Sequence, residues 1–261
     1  MKYSVVIPLY NGEKTIEKAI MSVLNQTRAE LIDEIIIVND GSSDKSVDVV
    51  EKLKDIAADK IVLVNKKNGG AASARNMGIR IARNNYIALL DADDTWMSEK
   101  IEVQDKILSK YPDIKALGCN RDGEKLHYGT PYREGIYRLS PLQYCVKNWP
   151  CTPALIFDKT IFDSDYYFPE DMTHAEEGIF FLTLAYKSGL YYVDLPLVLC
   201  GDGKRAFGVS GLSGNIKKMH QGVITMIKKA AGMGYIKRVY VPVLIAYENI
   251  KYVRRKIISH K

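Results

Sequence analysis

Glu34-Ile35-Ile36-Ile37-Val38-Asn39-Asp40-Gly41-Ser42-Ser43-Asp44 decides the fold. Glu34 to Val38 is nearly continuous aliphatic, the pattern of a strand buried on both faces. The rest is a polar, turn-forming cluster at the strand's C-terminal end. The same unit recurs on either side. Tyr3 to Leu9 is an apolar, β-rich run that ends in Tyr10-Asn11-Gly12-Glu13. Lys60 to Val64 is followed by Asn68-Gly69-Gly70, and Tyr86 to Leu90 runs into Asp91-Ala92-Asp93-Asp94. Helical periods separate these strands. Residues 12–27 turn Ile16, Ala19, Ile20, Val23 and Leu24 to one face; residues 43–57 do so with Val47, Val50, Leu53 and Ile56; residues 71–83 form a third helix. Strand–helix alternation predicts an α/β fold, a mostly parallel central sheet with helices on both faces. All four polar clusters then fall at C-terminal strand ends, the edge where open sheets bind ligands.

Beyond residue 120 the pattern loosens. Arg121 to Tyr137 is polar, Thr152 to Phe157 reads as a strand, 174–187 as a helix, and Tyr191 to Leu199 as an extended run interrupted by Pro196. Residues 201–214 are glycine-rich and two helices are expected after them. No repeat or linker divides the chain. It reads as a domain over 1–214, with a first half (1–100) and an elaborated second half (101–214), and a helical extension over 215–261.

Composition narrows the classes. With 47% hydrophobic and 26% charged residues among 261, the chain is an ordinary globular one, not disordered or coiled-coil. The longest uncharged apolar run near the C-terminus, Val239 to Tyr247, is nine residues and contains Pro242, too short for a membrane span. The first residues lack a signal-peptide core, so a cytoplasmic location is expected. Cys119, Cys145, Cys151 and Cys200 form no CxxC pair and no zinc-ligand spacing with histidine, which fits a reducing compartment. The net charge of +6 is uneven: 215–261 carries eight Lys and three Arg against Glu248 alone, a net of +10, leaving −4 on 1–214. The body is therefore no nucleic-acid binder by charge.

GxGxxG after the first strand, GxxxxGK[ST], GxSxG and HExxH are all missing, which sets aside dinucleotide, P-loop, hydrolase and zincin chemistry. Asp91, Asp93 and Asp94 have two readings. Carboxylates at i and i+2 beyond a buried strand offer hard oxygen donors to Mg²⁺ or Mn²⁺ that also holds substrate phosphates. Alternatively Asp94 or Thr95 caps a helix over 97–110.

Val5-Val6-Ile7-Pro8-Leu9-Tyr10-Asn11-Gly12-Glu13, Ile35-Ile36-Ile37-Val38-Asn39-Asp40-Gly41-Ser42-Ser43-Asp44, Asn68-Gly69-Gly70-Ala71-Ala72-Ser73-Ala74-Arg75-Asn76-Met77-Gly78 and Leu89-Leu90-Asp91-Ala92-Asp93-Asp94 together resemble the family 2 glycosyltransferases of the GT-A fold. The likeness in order and spacing covers roughly residues 3–100. It implies an inverting transfer from a nucleotide-activated sugar. Carried over residue by residue, it implies that Pro8 and Tyr10 flank the nucleobase, with Tyr10 stacking on it. Asp40 would accept the base N–H, and Arg75 would lie near base and diphosphate. Asp91 would reach the ribose or a metal-bound water, and Asp93 would bind the metal. Each has a plainer alternative: Pro8 ends a strand, Tyr10 is core, Asp40 caps the turn at Gly41, Arg75 is a solvated helix residue.

Single displacement at an anomeric carbon needs a carboxylate to take the acceptor's proton. The family's base is usually the second residue of a Glu-Asp pair; the matching stretch here holds Glu176-Glu177, a departure. Thr173-His174-Ala175-Glu176 fits a capping box, which gives Glu176 a structural role. Glu177 shares a helix face with Phe181 and Leu184 and so becomes the expected base, with Glu176, Asp171 and Glu170 as rivals. Leaving-group charge calls for preorganised cations. Lys204 and Arg205, in a glycine-rich stretch that reads either as a lid or as a surface loop, are candidates, and His220 is a candidate further metal ligand or a surface helix residue.

Residues 236–261 interleave Ile236, Val239, Val243, Ile250, Val253 and Ile257 with Lys and Arg. Such a helix either lies on an anionic membrane face or packs on its own domain with its basic side solvated. The processive members' Gln-x-x-Arg-Trp motif is missing, so one sugar per encounter is expected, in a bacterial polysaccharide or lipopolysaccharide role. The resemblance thus implies transfer of a hexose or N-acetylhexosamine, from a UDP-sugar, to a saccharide or lipid-linked acceptor. A sugar-nucleotide-binding subunit without activity is the alternative that Glu-Glu leaves open. A sugar-1-phosphate nucleotidyltransferase is a third, against which stands Leu9-Tyr10-Asn11-Gly12-Glu13 where a basic glycine-rich loop would be needed.

Overall fold

A computed structural model describes residues 1–163, 167–201 and 214–259. One sheet of ten strands organises the protein. Strands β1 (Tyr3–Leu9), β2 (Ile32–Asn39), β3 (Ile61–Asn65) and β4 (Tyr86–Leu89) form its parallel half in the order β3-β2-β1-β4. The other half is mixed. Strand β9 (Ile156–Asp158) runs antiparallel to β4 and to β6 (Ala116–Arg121), and β6 pairs parallel with β10 (Leu190–Leu199). The hairpin β7 (Thr130–Arg133) and β8 (Ile136–Leu139) closes that side, and the short β5 (Thr95–Trp96) pairs with β10. Register slips in β10 around Pro196, which has no N–H for the ladder.

The central strands alternate between two cores. Val5, Ile7, Ile35 and Ile37 face one side, with α1 (Ile16–Leu24), α2 (Ser46–Ala57) and α4 (Lys100–Lys110). Val6, Ile36 and Val38 face the other, with α3 (Gly70–Ile81), α5 (Pro141–Val146), α6 (Glu176–Lys187) and α7 (Ile216–Gly232). Ile35 to Val38 are fully buried, as a strand covered on both faces requires. Helix α6 is buried from Gly178 to Ala185, and α8 (Val241–Ser259) packs beside α7. Val223, Met226, Ile227 and Leu244 of the last two helices belong to the same core as Phe180 and Phe181.

Three expectations need correcting. Helix α2 begins at Ser46, its buried face is Ser46, Val50, Leu53 and Ala57 at four- and three-residue steps, and Ile56 is exposed. Helix α4 begins at Lys100 rather than 97, and neither Asp94 nor Thr95 caps it. The stretch 121–137, read only as polar with no element assigned, holds β7 and starts β8.

Candidate active site

The register of the parallel half brings the polar strand ends together. Leu9 pairs with Asn39 across β1 and β2, and Val6 pairs with Leu89 across β1 and β4. Asp40 and Asp91 therefore leave the sheet at one edge, on either side of β1. Hydrogen bonds knit the loops: Asn11 N–H donates to Ser42 Oγ (3.0 Å), Gly12 N–H to Ser46 Oγ (2.8 Å) and Ser43 N–H to Asn11 Oδ1 (2.8 Å). A Cβ on Gly12 would stand 3.0 Å from Leu9 and 3.6 Å from Ala92, so the loops after β1 and β4 touch. Gly41, at φ +75°, brings the loop after β2 against Asn68.

Asp40 is buried, and its carboxylate accepts from Lys66 Nζ (2.6 Å), Gly69 N–H (2.9 Å) and Gly70 N–H (2.7 Å). It shapes the loop that opens α3. Pro8 is half-buried and Tyr10 exposed beside that loop's neighbours, so Tyr10 is not a core residue.

Arg75 joins two parts of the chain that lie far apart in sequence. Its Nη2 donates to Asp91 Oδ1 at 2.6 Å, and its Nη1 stands 3.6 Å from Glu176 Oε1. Burial alone would lower its pKa, but Asp91 and Glu176 outweigh burial and raise it, so the guanidinium is fixed as a cation. It lies over the Phe168 ring at 5.4 Å. Arg75 is thus a buried hub and not a solvated helix residue.

Helix α6 begins at Glu176, after Ala175 in the left-handed region at φ 57°, and no side chain caps it. The expected capping box does not form; Thr173 Oγ1 instead meets its neighbour His174 Nδ1 (3.0 Å). Glu176 is buried and turned to Arg75, whose charge holds it there more directly than any cap. Glu177 is partly buried, on the face of the buried Phe181 and Leu184. Burial, then the charge of Glu176, pushes its pKa up to about 7. Of the rivals, Asp171 is exposed and paired with Lys229 (2.6 Å), and Glu170 accepts from Asn76 Nδ2 (2.8 Å).

The acidic strand end divides its labour. Asp91 is engaged by Arg75, and Asp93 is exposed. Asp94 is buried and accepts from Gly201 N–H (2.8 Å). Burial, then the neighbouring charge of Asp91, pushes Asp94 far above the carboxylate range, to about 9. Among the described residues no group of three or more His, Cys, Asp or Glu is arranged to hold a metal ion. That does not disqualify Mg²⁺ or Mn²⁺, which needs only one or two carboxylates when phosphates and waters complete its shell. The hard oxygen of exposed Asp93 fits such an ion. His220 is held elsewhere: it stacks on Tyr252 (4.3 Å, 14°) and faces Glu248 (3.6 Å) between α7 and α8. Lys204 and Arg205 lie outside the described residues.

Sequence reasoning passed over Asn76, Phe168 and Tyr144. Asn76 is fully buried, and its amide both donates to Phe168 O and accepts from Phe168 N–H, each at 2.8 Å, tying the segment before α6 to α3. Tyr144, buried, has its pKa raised by burial and by Glu177. The neighbouring Asn-Met-Gly of the Arg75 motif was the available signal for Asn76.

The sheet order and the acids at its edge define a GT-A fold, and solved structures agree. Staphylococcus aureus TarS, residues 1–349 in complex with UDP-GlcNAc, superposes with a TM-score of 0.69 at 20% identity, over 94% of this chain and 71% of that one. The mannosyltransferase PcManGT of Pyrobaculum calidifontis, in complex with GDP-Man and Mn²⁺, gives 0.68 at 20% identity, over 95% and 69%. Within that fold the chain belongs to a defined family, "Glycosyl transferase family 2", whose model matches residues 4–154, more than half of the chain. An uncharacterised glycosyltransferase of Rickettsia conorii is 33% identical over 199 residues, 75% of this chain and 32% of that protein. The Escherichia coli UDP-Glc:alpha-D-GlcNAc-diphosphoundecaprenol beta-1,3-glucosyltransferase WfaP is 33% identical over 169 residues, 60% of this chain and 61% of that protein. The chain spans about a third of the length of the Rickettsia relatives it matches.

Proposed function

We propose that this protein transfers a hexose or N-acetylhexosamine from a nucleotide sugar, a UDP-sugar, to a saccharide or lipid-linked acceptor with inversion at the anomeric carbon. The observation that carries the reading is the Arg75 bridge. One guanidinium spans the strand-end acid Asp91 and the acid pair that opens α6. This bridge supports a donor side and a base side lying at one edge of the sheet. WfaP, by its name, uses UDP-Glc and a diphosphoundecaprenol-linked acceptor, and TarS is seen with UDP-GlcNAc, which supports a UDP-sugar and an acceptor of that kind.

In this mechanism Tyr10 stacks on the base and Pro8 flanks it, while Asp40 holds Gly69 and Gly70 so that the loop borders the nucleoside. A base N–H would compete with Lys66 for Asp40. Asp93 would hold Mn²⁺ or Mg²⁺, which when bound offsets charge on the diphosphate. Glu177 takes the proton of the acceptor hydroxyl. The freed oxygen forms a bond to C1 from the face opposite the diphosphate, the C1–O bond to phosphate breaks, and the nucleoside diphosphate leaves with that electron pair. A base titrating near 7 suits neutral pH. Glu176 acts through Arg75 as a positioning group. Residues 1–214 carry this chemistry and 215–261 form a helical extension whose α7 shares the core. An NMR assay of product formed from α-linked UDP-GlcNAc or UDP-Glc tests the reading. A β-linked product is expected; an α-linked product overturns inversion, and donor binding without transfer or hydrolysis on any acceptor favours the inactive subunit.

A further inference from the structure

Helix α8 is amphipathic in an unexpected sense, with the ion-paired Glu248, Lys251 and Arg255 turned in and most of its large apolar side chains turned out. Its inner face presents Leu244, buried, and Glu248, only 1% exposed. Glu248 is paired with Lys251 (2.7 Å) and Arg255 (2.8 Å), and faces His220 of α7. Lys251 also donates to the carbonyl of Val146 at the end of α5 (3.1 Å). These contacts fix which face packs on the domain. Val239, in the turn before the helix, and Val243, Tyr247, Ile250, Val253 and Ile257 lie on the other side, each between 43% and 71% exposed. They recur at three- and four-residue spacing, so they form one continuous stripe. Scattered exposed apolar residues need no explanation, but an aligned stripe marks an interaction surface.

The charges around the stripe say what covers it. Lys237 and Arg238 stand at its start, and Arg254 and Lys256 near its end, all exposed. Glu248 is the one acidic residue in 215–261, and it is spent on the inner face. A second copy laid on the stripe, in either direction, would set basic ends against basic ends or basic ends against apolar middle, with no carboxylate from the helix to offset them. An anionic lipid surface supplies the missing charge and takes the apolar side chains as well. Tyr240 and Tyr247 have the apolar body and polar tip suited to that boundary. No described helix is long and apolar enough to cross a membrane, so the contact is with the surface. We propose that the outer face of α8, from Val239 to Ile257, docks this protein on an anionic lipid bilayer.

Vesicle flotation of the full chain tests this without any donor or acceptor, so the result stands apart from the proposed reaction. With phosphatidylcholine vesicles carrying about one third phosphatidylglycerol, the protein should float; with phosphatidylcholine alone, binding should fall by about tenfold or more. Val243→Asp with Ile250→Asp should abolish flotation while leaving the thermal midpoint unchanged, since both positions are exposed. Arg254→Glu with Lys256→Glu keeps the stripe and should lose the preference for anionic lipid. Failure of the wild type to float would overturn the proposal, as would equal flotation of either variant. A lipid-free dimer in sedimentation velocity that Val243→Asp with Ile250→Asp dissolves would overturn it in favour of a second copy.

Discussion

Around Arg75, carboxylates from α6 and from the end of β4 close on a buried guanidinium. Around Lys100, a fully buried ammonium meets the Gln104 amide oxygen (2.7 Å) and the face of Trp96 (4.1 Å), and among the described residues no carboxylate pairs with it. The pKa values part accordingly. Asp91 and Glu176 raise Arg75 against the pull of burial, while burial pushes Lys100 down to about 8. The difference is between a buried cation shared by acids and one without a carboxylate partner among the described residues. At Arg75 one cation faces both Asp91 and Glu176, and beside them burial first, then the charge of Glu176, drives Glu177 up to about 7. At Lys100 the cost is a desolvated charge, offset by one amide and one aromatic ring.

The largest effect should come from Glu177. Glu177→Gln should keep donor binding and lower kcat by ~10²–10⁴, the scale of a general base. A base works deprotonated, so wild-type kcat/KM should rise with pH through about 7, and the variant should lack that limb. Stopped or continuous assay of nucleotide release reads both, and an unchanged rate would break the contrast with Lys100.

Arg75→Met should cost about 3–5 kcal/mol in urea unfolding, because Asp91 and Glu176 would face each other with no cation. The loss should be smaller at acid pH, where those carboxylates protonate. Adding Glu176→Gln to the same chain should recover part of it.

Lys100→Met should do the reverse. Replacing an unpaired buried ammonium by an apolar chain of similar length should leave stability at neutral pH unchanged or raise it by about 1–4 kcal/mol. The sign with pH follows from the depressed value. Between about 8 and the unfolded lysine's ~10.4 the unfolded state binds more protons, so wild-type stability rises there and the variant's advantage shrinks. Denaturation at several pH values measures the gap; a marked loss at neutral pH would mean that Lys100 has a partner worth keeping.

The same contrast explains what could be read beforehand. Strand ends in the parallel half are local features: Asp40 and Asp91 follow buried runs directly, and adjacency of β2, β1 and β4 brings them to one edge. The Arg75–Asp91–Glu176 bridge is nonlocal, joining α3 to α6, and no spacing reveals it. A capping box on Thr173 looked sufficient for Glu176 because the sequence hides the arginine that claims it. Ile56 misled because a strict three-residue spacing (47, 50, 53, 56) drifts off one helix face, whereas 46, 50, 53 and 57, at four- and three-residue steps, stay on it. The β7–β8 hairpin lies at the sheet edge, where strands need little apolar pattern. His220 was placed by analogy, and its partner Glu248 lies a helix away.

Calorimetric titration of UDP-GlcNAc and UDP-Glc into the wild type and Asp93→Ala, with and without Mn²⁺, tests the strand-end cluster most directly. Binding by the wild type that needs Mn²⁺, and that Asp93→Ala weakens by about tenfold or more, is the expected result. Equal affinity in both proteins with Mn²⁺ present, or no heat from any nucleotide sugar, would contradict it.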